Sequence, residues 1–535
     1  MKIYGKNKGM VAVAIWRVNG SKGGTLLEKV LTVRDATKPD LHRPIRLPGA
    51  FIPALRLVQA VRTGETIAVF GDYDCDGVCA AAVMAIFLGK LGIETIVRLP
   101  TRDEGYGLRP DQVKELVQKG AGLIVTVDNG ISAHEAARVA NNLGIDMIVT
   151  DHHEPSKILP DAPHIVNPKL NGGYRDYSGA GVAYLLCCEA ARILNLPEPS
   201  ELLDLVALAT VVDVCPITGD NFILSRRGLL QMRQKQRPGV AALMEAAKAK
   251  KLGGYSLGWQ LGPRINAAGR MADPMLAYRL IIAESRNEAL SAARDVDRLN
   301  TQRKEIVEKV FKECLTDYND QAFPVFVTDY LNVAPHEGAW IRMHGIVGVV
   351  AGRLAEKLCR PVLVGSLEGD TVRASGRTTG GFDLLESLRE CQEETGAFIA
   401  FGGHKKAAGV TFEKKRYSEI VTSLDGIARL KLKLEDIIKF IDVDAAITGA
   451  VRPDEVAELD VLEPFGEENP EPTFLIEGHV NIIRQNCQWT LASINGIKFF
   501  AKPGEISNGR MQMVANLRVN EEEEIMAHLV DMRPC

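Results

Sequence analysis

One stretch of the chain alternates short apolar runs with segments of helical periodicity. Residues 66–70 (TIAVF) are apolar almost throughout and predict a short buried strand. GDYDCDG follows, then a helix-like stretch over 78–91. Residues 95–99 predict a second strand, which leads into PTRDEGYGL. Val113, Leu116 and Val117 recur at helical spacing and predict a helix over 110–119. Residues 123–127 predict a third strand ending in Asp128, 134–143 a helix, and 147–150 a fourth strand ending in Asp151-His152-His153. Continuously apolar strands alternating with helices describe a parallel α/β sheet. A further apolar segment, 205–212, ends in Asp213 and is expected at the same sheet edge.

The flanking regions read differently. Residues 1–62 hold short apolar runs broken by Gly and Pro, without a clear period. Residues 281–315 lack both Gly and Pro, and Leu299, Ile306, Val310 and Cys314 recur at helical spacing. That predicts a long helix between two globular lobes. Residues 322–425 return to α/β character, with strands expected at 325–327 and 361–364. From about 435 onward short alternating segments such as 511–519 predict a mostly β region able to form a small barrel. EEEE at 521–524 reads as a turn.

Length and charge narrow the classes. At roughly 150 residues per domain, 535 residues suggest about three to four domains. The 64 Lys and Arg against 68 Asp and Glu leave a net charge of −4, so bulk basicity cannot argue for nucleic-acid binding. Any such binding needs local positive charge or metal ions. No apolar run approaches the roughly 18 residues of a membrane helix, which predicts no membrane partner. The ten cysteines include no CxxC pair and read as reduced thiols, so a cytoplasmic location is expected.

In parallel α/β sheets, sites lie at the carboxyl ends of the strands. Here Asp72, Asp74 and Asp76 follow the first strand, Asp128 the third and Asp151-His152-His153 the fourth, with Asp213 after the further segment. Carboxylates and imidazoles together suit manganese or magnesium. Crowded carboxylates raise one another's pKa unless cations neutralise them. Two divalent ions are the simplest resolution, and a two-metal cluster can both generate a nucleophile and clamp a phosphoryl group. One DxD pair is usually a turn or cap. The recurrence of five or more candidate ligands at successive segment ends carries the metal reading.

These motifs resemble the DHH phosphoesterase superfamily: GDYDCDG, TVDNG, TDHHEP and TVVDVCP match its four motifs in order. SGAGVAYLL, LGPRINAAGR, HGIVGVVAGRLAEKLCRPVLV, SGRT, FGGHKKAAG and LEPFGEENPEP resemble, more narrowly, the RecJ family of single-strand-specific exonucleases, over about 66–474. The resemblance implies an α/β fold: a parallel-sheet DHH domain with a following helical region (63–280), a long connecting helix (281–321), a smaller α/β DHH-associated domain with the GGH motif (322–432), and a C-terminal OB-fold-like β-barrel (433–535). Residues 1–62 form an N-terminal segment. It implies Asp74, Asp76, Asp128, His152 and Asp213 as metal ligands, with Asp128 the bridge and Asp72 an extra ligand. Some relatives carry a ligand histidine where this chain has Phe70, which cannot coordinate. His153 is expected to contact a substrate phosphate or orient His152, with Asp151 supporting both. Catalysis would fall to Asp74, Asp76, Asp128, His152, His153 and Asp213, using two Mn2+ or Mg2+ ions.

Substrate handling is expected from other motifs. Gly402, Gly403 and His404 put an imidazole on a tight backbone, and with Ser375 and Arg377 they suggest a pocket for a terminal 5′ or adjacent phosphate. Arg102 assists from its loop, and Arg264, Asn266 and Arg270 are expected near the scissile phosphate. Tyr106, Phe382 and Trp340 are candidates for base stacking, although each aromatic taken alone is more often core. The implied function is metal-dependent 5′-to-3′ hydrolysis of single-stranded DNA in repair or recombination. The expected enzyme is a monomer, with a single-stranded-DNA-binding protein or a helicase as partner. The alternatives are a DHH phosphodiesterase on oligoribonucleotides or small cyclic nucleotides, and a non-catalytic replication or repair scaffold. The scaffold reading predicts missing ligands.

Overall fold

The computed structural model describes residues 14–19, 24–37, 40–234, 237–328, 344–433, 436, 438–506 and 509–535. Leu26–Val33 (α1) opens on a capping box between Thr25 and Glu28. Phe51–Thr63 (α2) closes on Gly64, whose φ of 67° suits glycine. Neither helix stands out in the sequence pattern.

Ile67–Phe70 (β1), Thr95–Arg98 (β2), Leu123–Val127 (β3), Asp146–Thr150 (β4) and His164–Val166 (β5) form an all-parallel sheet in the order β2-β1-β3-β4-β5. Every residue of β1 and β3 is buried, which is why these strands read as unbroken apolar runs. Cys75–Lys90 (α3) follows β1. Pro110–Gln118 (α4) and His134–Asn142 (α5) cover one face, packing Val113, Leu116, Ala136 and Ala140 against Ala68, Ile124 and Val149. The order of connection reverses between β1 and β3. A crevice opens there beyond the carboxyl ends of the strands, and ligands bind at such switch points.

Gly179–Ile193 (α6), Leu203–Val212 (α7), Gly219–Gln234 (α8) and Pro238–Ala247 (α9) follow. The apolar segment before Asp213 is therefore a helix, and Asp213 reaches the site from a helix C-terminus, not a strand end. Residues 203–210 are buried on all sides, so no polar face marks a helical period. The long helix begins later than expected. Gly262–Met271 (α10) and Met275–Ile282 (α11) precede Arg286–Asp317 (α12), which runs for 32 residues.

Val325–Thr328 (β6), Val362–Glu368 (β7), Thr371–Arg377 (β8), Phe398–Gly403 (β9) and Ala407–Glu413 (β10) form a second, mixed sheet in the order β9-β10-β8-β7-β6. His344–Leu358 (α13) precedes β7, and Leu384–Thr395 (α14) and Tyr417–Lys431 (α15) bury Leu388, Ile420 and Leu424 against the sheet. A seven-stranded C-terminal sheet makes the OB-like part. Ala445–Ile447 (β11) and Phe474–His479 (β12) begin it, followed by Asn481–Gln485 (β13), Thr490–Ile494 (β14) and Ile497–Ala501 (β15). Arg510–Val519 (β16) and Ile525–Pro534 (β17) are its longest strands and complete the order β11-β12-β16-β17-β15-β14-β13. Residues 521–524 form the turn between β16 and β17. Leu26, Leu27 and Val30 of α1 belong to this sheet's core.

The described residues fall into two compact units. One lies within 17–266, 274–295 and 442–535, the other within 1–16, 267–273 and 296–441. In the first, the LEPFGEENP loop docks on helical residues: Arg226 Nη1 donates to Glu463 O at 3.2 Å, Arg233 pairs with Glu463, and Ile217 N donates to Glu467 O at 2.8 Å. Among the described residues no helix is long and apolar enough to cross a membrane.

Candidate metal centre

The residues after β1 build the first wall of the crevice. Asp74 caps α3, its Oδ1 accepting the amides of Asp76 and Gly77 at 3.0 and 3.1 Å. Asn266 Oδ1 accepts the Cys75 amide at 2.8 Å, so this residue of GPRINAAGR holds the acidic turn from behind. Gly77 lies close against Asp72, and a Cβ there would overlap the Asp72 backbone. Asn129 ties β1 to β3 across the switch point, its Nδ2 donating to Phe70 O at 3.2 Å and Val127 O at 2.9 Å. Asp128 itself is left-handed, at φ 62°. Phe70 is fully buried in β1 and takes no part in the site.

The other wall comes from α6. Ser178 caps it, and the amides of Gly179 and Ala180 donate to Asp76 Oδ2 and Oδ1 at 2.6 and 2.7 Å. Asp76 thus sits on a helix N-terminus, where the backbone favours negative charge. A Cβ on Gly179 would overlap Asp128 Cβ and Oδ1. The glycine is required by the approach of helix to carboxylate. Sequence reasoning missed this role, although SGAG just before a helical stretch carried the cap signal.

Asp151 orients the paired histidines. Its buried Oδ1 accepts the amides of His152 and His153 at 2.7 and 3.1 Å and lies 2.8 Å from His153 Nδ1, while Oδ2 accepts Ile131 N at 2.9 Å. His152 Nε2 then lies 3.1 Å from Asp128 Oδ1 and 3.8 Å from both Asp76 Oδ2 and Asp213 Oδ2. Asp72, Asp74 and Asp128 each offer one oxygen within 4.8 Å of the others. Asp128, His152 and His153 form a second such group, and His152, Asp213 and Cys215 a third. Tyr106 Oη lies 3.0 Å from His153 Nδ1 and donates to Asp128 O at 3.4 Å.

Electrostatics follow from burial and crowding. Burial, then the Asp74 charge, pushes Asp72 up to about 8. Burial, then Asp74, pushes Asp213 up to about 7. Asp76 and Asp128 are raised well above the carboxylate range, first by burial, then by neighbouring acids. Burial opposes ionisation of Asp151 too, but the hydrogen bonds from His153 and from backbone amides hold it below the ordinary range. Burial lowers His152 to about 4, so its imidazole is neutral near pH 7 with a lone pair to give. Desolvation lowers the partly exposed His153, but the hydrogen bond and charge of Asp151 outweigh it and raise its pKa.

This donor set fits divalent cations. Among the described residues Asp72 Oδ1 and Asp128 Oδ1 are buried with no hydrogen-bond partner; despite its 3.1 Å approach to His152, Asp128 Oδ1 lies outside hydrogen-bond geometry. Buried polar atoms of this kind call for an explanation such as an ion. Hard oxygens with one neutral imidazole suit manganese or magnesium.

The remaining candidates divide. Arg102 stacks over the Tyr73 ring at 4.2 Å, where its charge favours the ionised form of Asp72. Arg264 is buried and donates from Nη1 to Gln260 O at 2.6 Å, and Arg270 Nη1 donates to Gly345 O at 2.8 Å. In the second unit, Arg377 Nη1 donates to Ser375 Oγ at 2.8 Å and Gly376 O at 2.7 Å. Among the described residues no carboxylate pairs with Arg377, and burial lowers its pKa. Gly402 and Gly403 end β9, Gly403 with φ 141°, and His404 N donates to Ala407 O at 2.8 Å. Phe382 is not available for stacking: it is buried against Phe323 in the sheet core. Trp340 lies outside the described residues.

Known proteins resemble this chain in sequence and in fold. The model of the DHH family, N-terminal domain, matches residues 66–210, and that of the DHHA1 domain matches 340–430. The single-stranded-DNA-specific exonuclease RecJ of Escherichia coli (strain K12) is 36% identical over 464 residues, 80% of this chain and 77% of that protein. RecJ of Bacillus subtilis (strain 168) is 32% identical over 506 residues, 90% of this chain, and the chain spans 62% of that relative's length. A crystal structure of RecJ in complex with Mn2+ from Thermus thermophilus matches with a TM-score of 0.81 at 26% identity, over 98% of this chain and 80% of that one. With both domain models in the same order and 36% identity across three quarters of a relative, the chain belongs to the RecJ family of single-stranded-DNA-specific exonucleases.

Proposed function

We propose that this chain removes nucleotides from the 5′ end of single-stranded DNA, by metal-dependent phosphodiester hydrolysis at the switch point of the parallel sheet. The observation that carries the reading is the pair of buried oxygens without a partner among the described residues, Asp72 Oδ1 and Asp128 Oδ1, the latter 3.1 Å from a neutral imidazole. Asp72, Asp74, Asp76, Asp128, His152 and Asp213 would hold two divalent ions, Mn2+ or Mg2+, with Asp128 shared. Both Asp76 oxygens accept amides, and each keeps a lone pair for coordination. When bound, the ions supply an acidified water and offset charge on the phosphoryl oxygens.

The chain's own groups do the rest. Asp151 fixes the imidazole planes. His153, held towards its charged form, faces a substrate phosphate, and Tyr106 keeps its phenol proton beside it. Burial, followed by the surrounding acids, raises that phenol. Arg102, Arg264, Asn266 and Arg270 bind the strand. Ser375, Arg377, Gly402, Gly403 and His404 receive the terminal phosphate. The part-buried Arg377 guanidinium, lacking an acid partner among the described residues, supports this assignment. The enzyme would act as a cytoplasmic monomer in repair or recombination, supplied with an unwound end by a helicase or a single-stranded-DNA-binding protein.

End-labelled strands test the reading. With manganese, 5′-phosphorylated single strands should shorten from the 5′ end while duplex persists. Equal loss of duplex, or release from 3′ ends, would overturn it.

A further inference from the structure

The acidic cluster has one neighbour of different chemistry. Cys215 is buried, and its thiol donates to Asp213 Oδ2 at 3.3 Å. His152 Nε2 lies 3.8 Å from the same oxygen. A tetrahedral ion with bonds near 2.2 Å spaces its donors about 3.6 Å apart. The two measured separations bracket that value. All three donor atoms lie within 4.8 Å of one another. A fourth donor is at hand: Asp128 Oδ1 is buried, without a hydrogen-bond partner among the described residues, and 3.1 Å from the same imidazole nitrogen.

The backbone explains why a thiol stands here. α7 ends at Asp213. Val214 N donates to Val211 O, and Cys215 N to Thr210 O, the paired bonds of a Schellman motif. Such a motif needs a left-handed residue between them, usually glycine. This chain places Val214 there, at φ 58° and largely exposed. The reversal turns Cys215 back towards the carboxylate it follows by two positions.

Thiolate, imidazole and carboxylate together prefer zinc or cadmium to manganese or magnesium. We infer that His152, Asp213 and Cys215, completed by Asp128, form a trap for a thiophilic divalent cation that shuts the enzyme. Binding releases the thiol proton to solvent. It draws His152 and Asp213 into a closed four-ligand set with no position left for water, unlike the open set that catalysis needs. The inference rests on the ligand assignment proposed above, and it adds a regulatory consequence peculiar to the cysteine.

Cobalt reads the site without turnover. The full chain, stripped of metal, is titrated with Co2+. A sulfur-to-cobalt charge-transfer band is expected in the near ultraviolet, retained in the Cys487→Ser/Cys535→Ser variant and lost in Cys215→Val and Cys215→Ser. In excess Mn2+, Zn2+ should inhibit the wild type at concentrations at least about tenfold lower than either Cys215 variant, each referred to its own uninhibited rate. This expectation follows the affinity gained from a thiolate ligand. Thermal melts confirm that the variants fold. A band that survives in both Cys215 variants, or unchanged zinc sensitivity, would overturn the inference. A Cys215-dependent band in a protein that cleaves no DNA would instead sink the functional reading and leave the trap standing. Cleavage without any band would do the reverse.

Discussion

Removing the metal should make the fold's stability fall as pH rises through neutrality. Asp72 and Asp213 are raised to about 8 and about 7 in the metal-free fold, from 3.8. Their stabilising contribution is fully present below the unfolded value, and is lost as pH climbs through the folded values. Asp76 and Asp128 shift the same way. His152 has the opposite sign, but its window lies between about 4 and 6.5 and is closed at higher pH. The lowered Glu104, at about 2, matters only in acid. Each proton held by the native state alone contributes about 1.4 kcal/mol per pH unit. Integrated for Asp72 and Asp213, the loss between about pH 6.5 and 8 is about 2 kcal/mol, or a Tm drop of about 2 °C at this size.

The assay is a thermal melt at half-unit steps across that window, once with chelator and once with saturating Mn2+. The metal-free curve should fall, and the loaded curve should stay level or rise, because cations bind the deprotonated site. Asp72→Asn should flatten part of the metal-free slope, with Asp76, Asp128 and Asp213 carrying the rest. A metal-free Tm that is flat or climbing, or a slope untouched in Asp72→Asn, would refute the argument from buried carboxylates.

Two further outcomes follow from single positions. Gly179→Ala drives a Cβ into Asp128, and should cut Mn2+-dependent turnover about 100-fold while circular dichroism stays native; wild-type turnover would show that the approach of α6 is not critical. Val214→Asn keeps the left-handed turn with a residue that tolerates it, and urea unfolding should show a gain of about 1 kcal/mol; a loss of stability would mean the valine side chain has packing value outweighing its strain.

Parts of the site were legible because burial left a plain mark. β1 and β3 lie within the sheet, so they read as apolar runs ending abruptly in acids, and Asp72, Asp74, Asp76, Asp128 and His152 could be placed at one edge. The same mark misled at α7, where burial on every side erased the helical period before Asp213. α2 went unread because Pro53 and the preceding Pro-Gly segment look like a loop, although Gly64 stood at its end. The donors that hold the acids were harder. The amides of Gly179 and Ala180 and the carboxamides of Asn129 and Asn266 act through tertiary approach, which no local spacing encodes. Cys215 enters the site only through the chain reversal at Val214.

The acids of the crevice fall into two kinds. Asp151 accepts three amides and faces an imidazole, and Asp76 accepts two amides at a helix N-terminus. Backbone and imidazole outweigh the burial of Asp151, and the amides offset part of that of Asp76. Asp72 and Asp128 each keep a buried oxygen without a hydrogen-bond partner among the described residues, and only a bound proton or a cation can offset that charge. Neutralising an unsatisfied acid should therefore stabilise the empty protein while disabling it. Asp128→Asn is the clean test, because asparagine tolerates the left-handed φ of 62° that aspartate adopts. Near pH 7.5 and without metal, the variant should unfold at higher urea, by about 1–2 kcal/mol. Its melting temperature should no longer respond to Mn2+, and cleavage should be lost. A variant less stable than the metal-free wild type would mean that Asp128 is held by interactions of its own, and that its charge is not what the metal relieves.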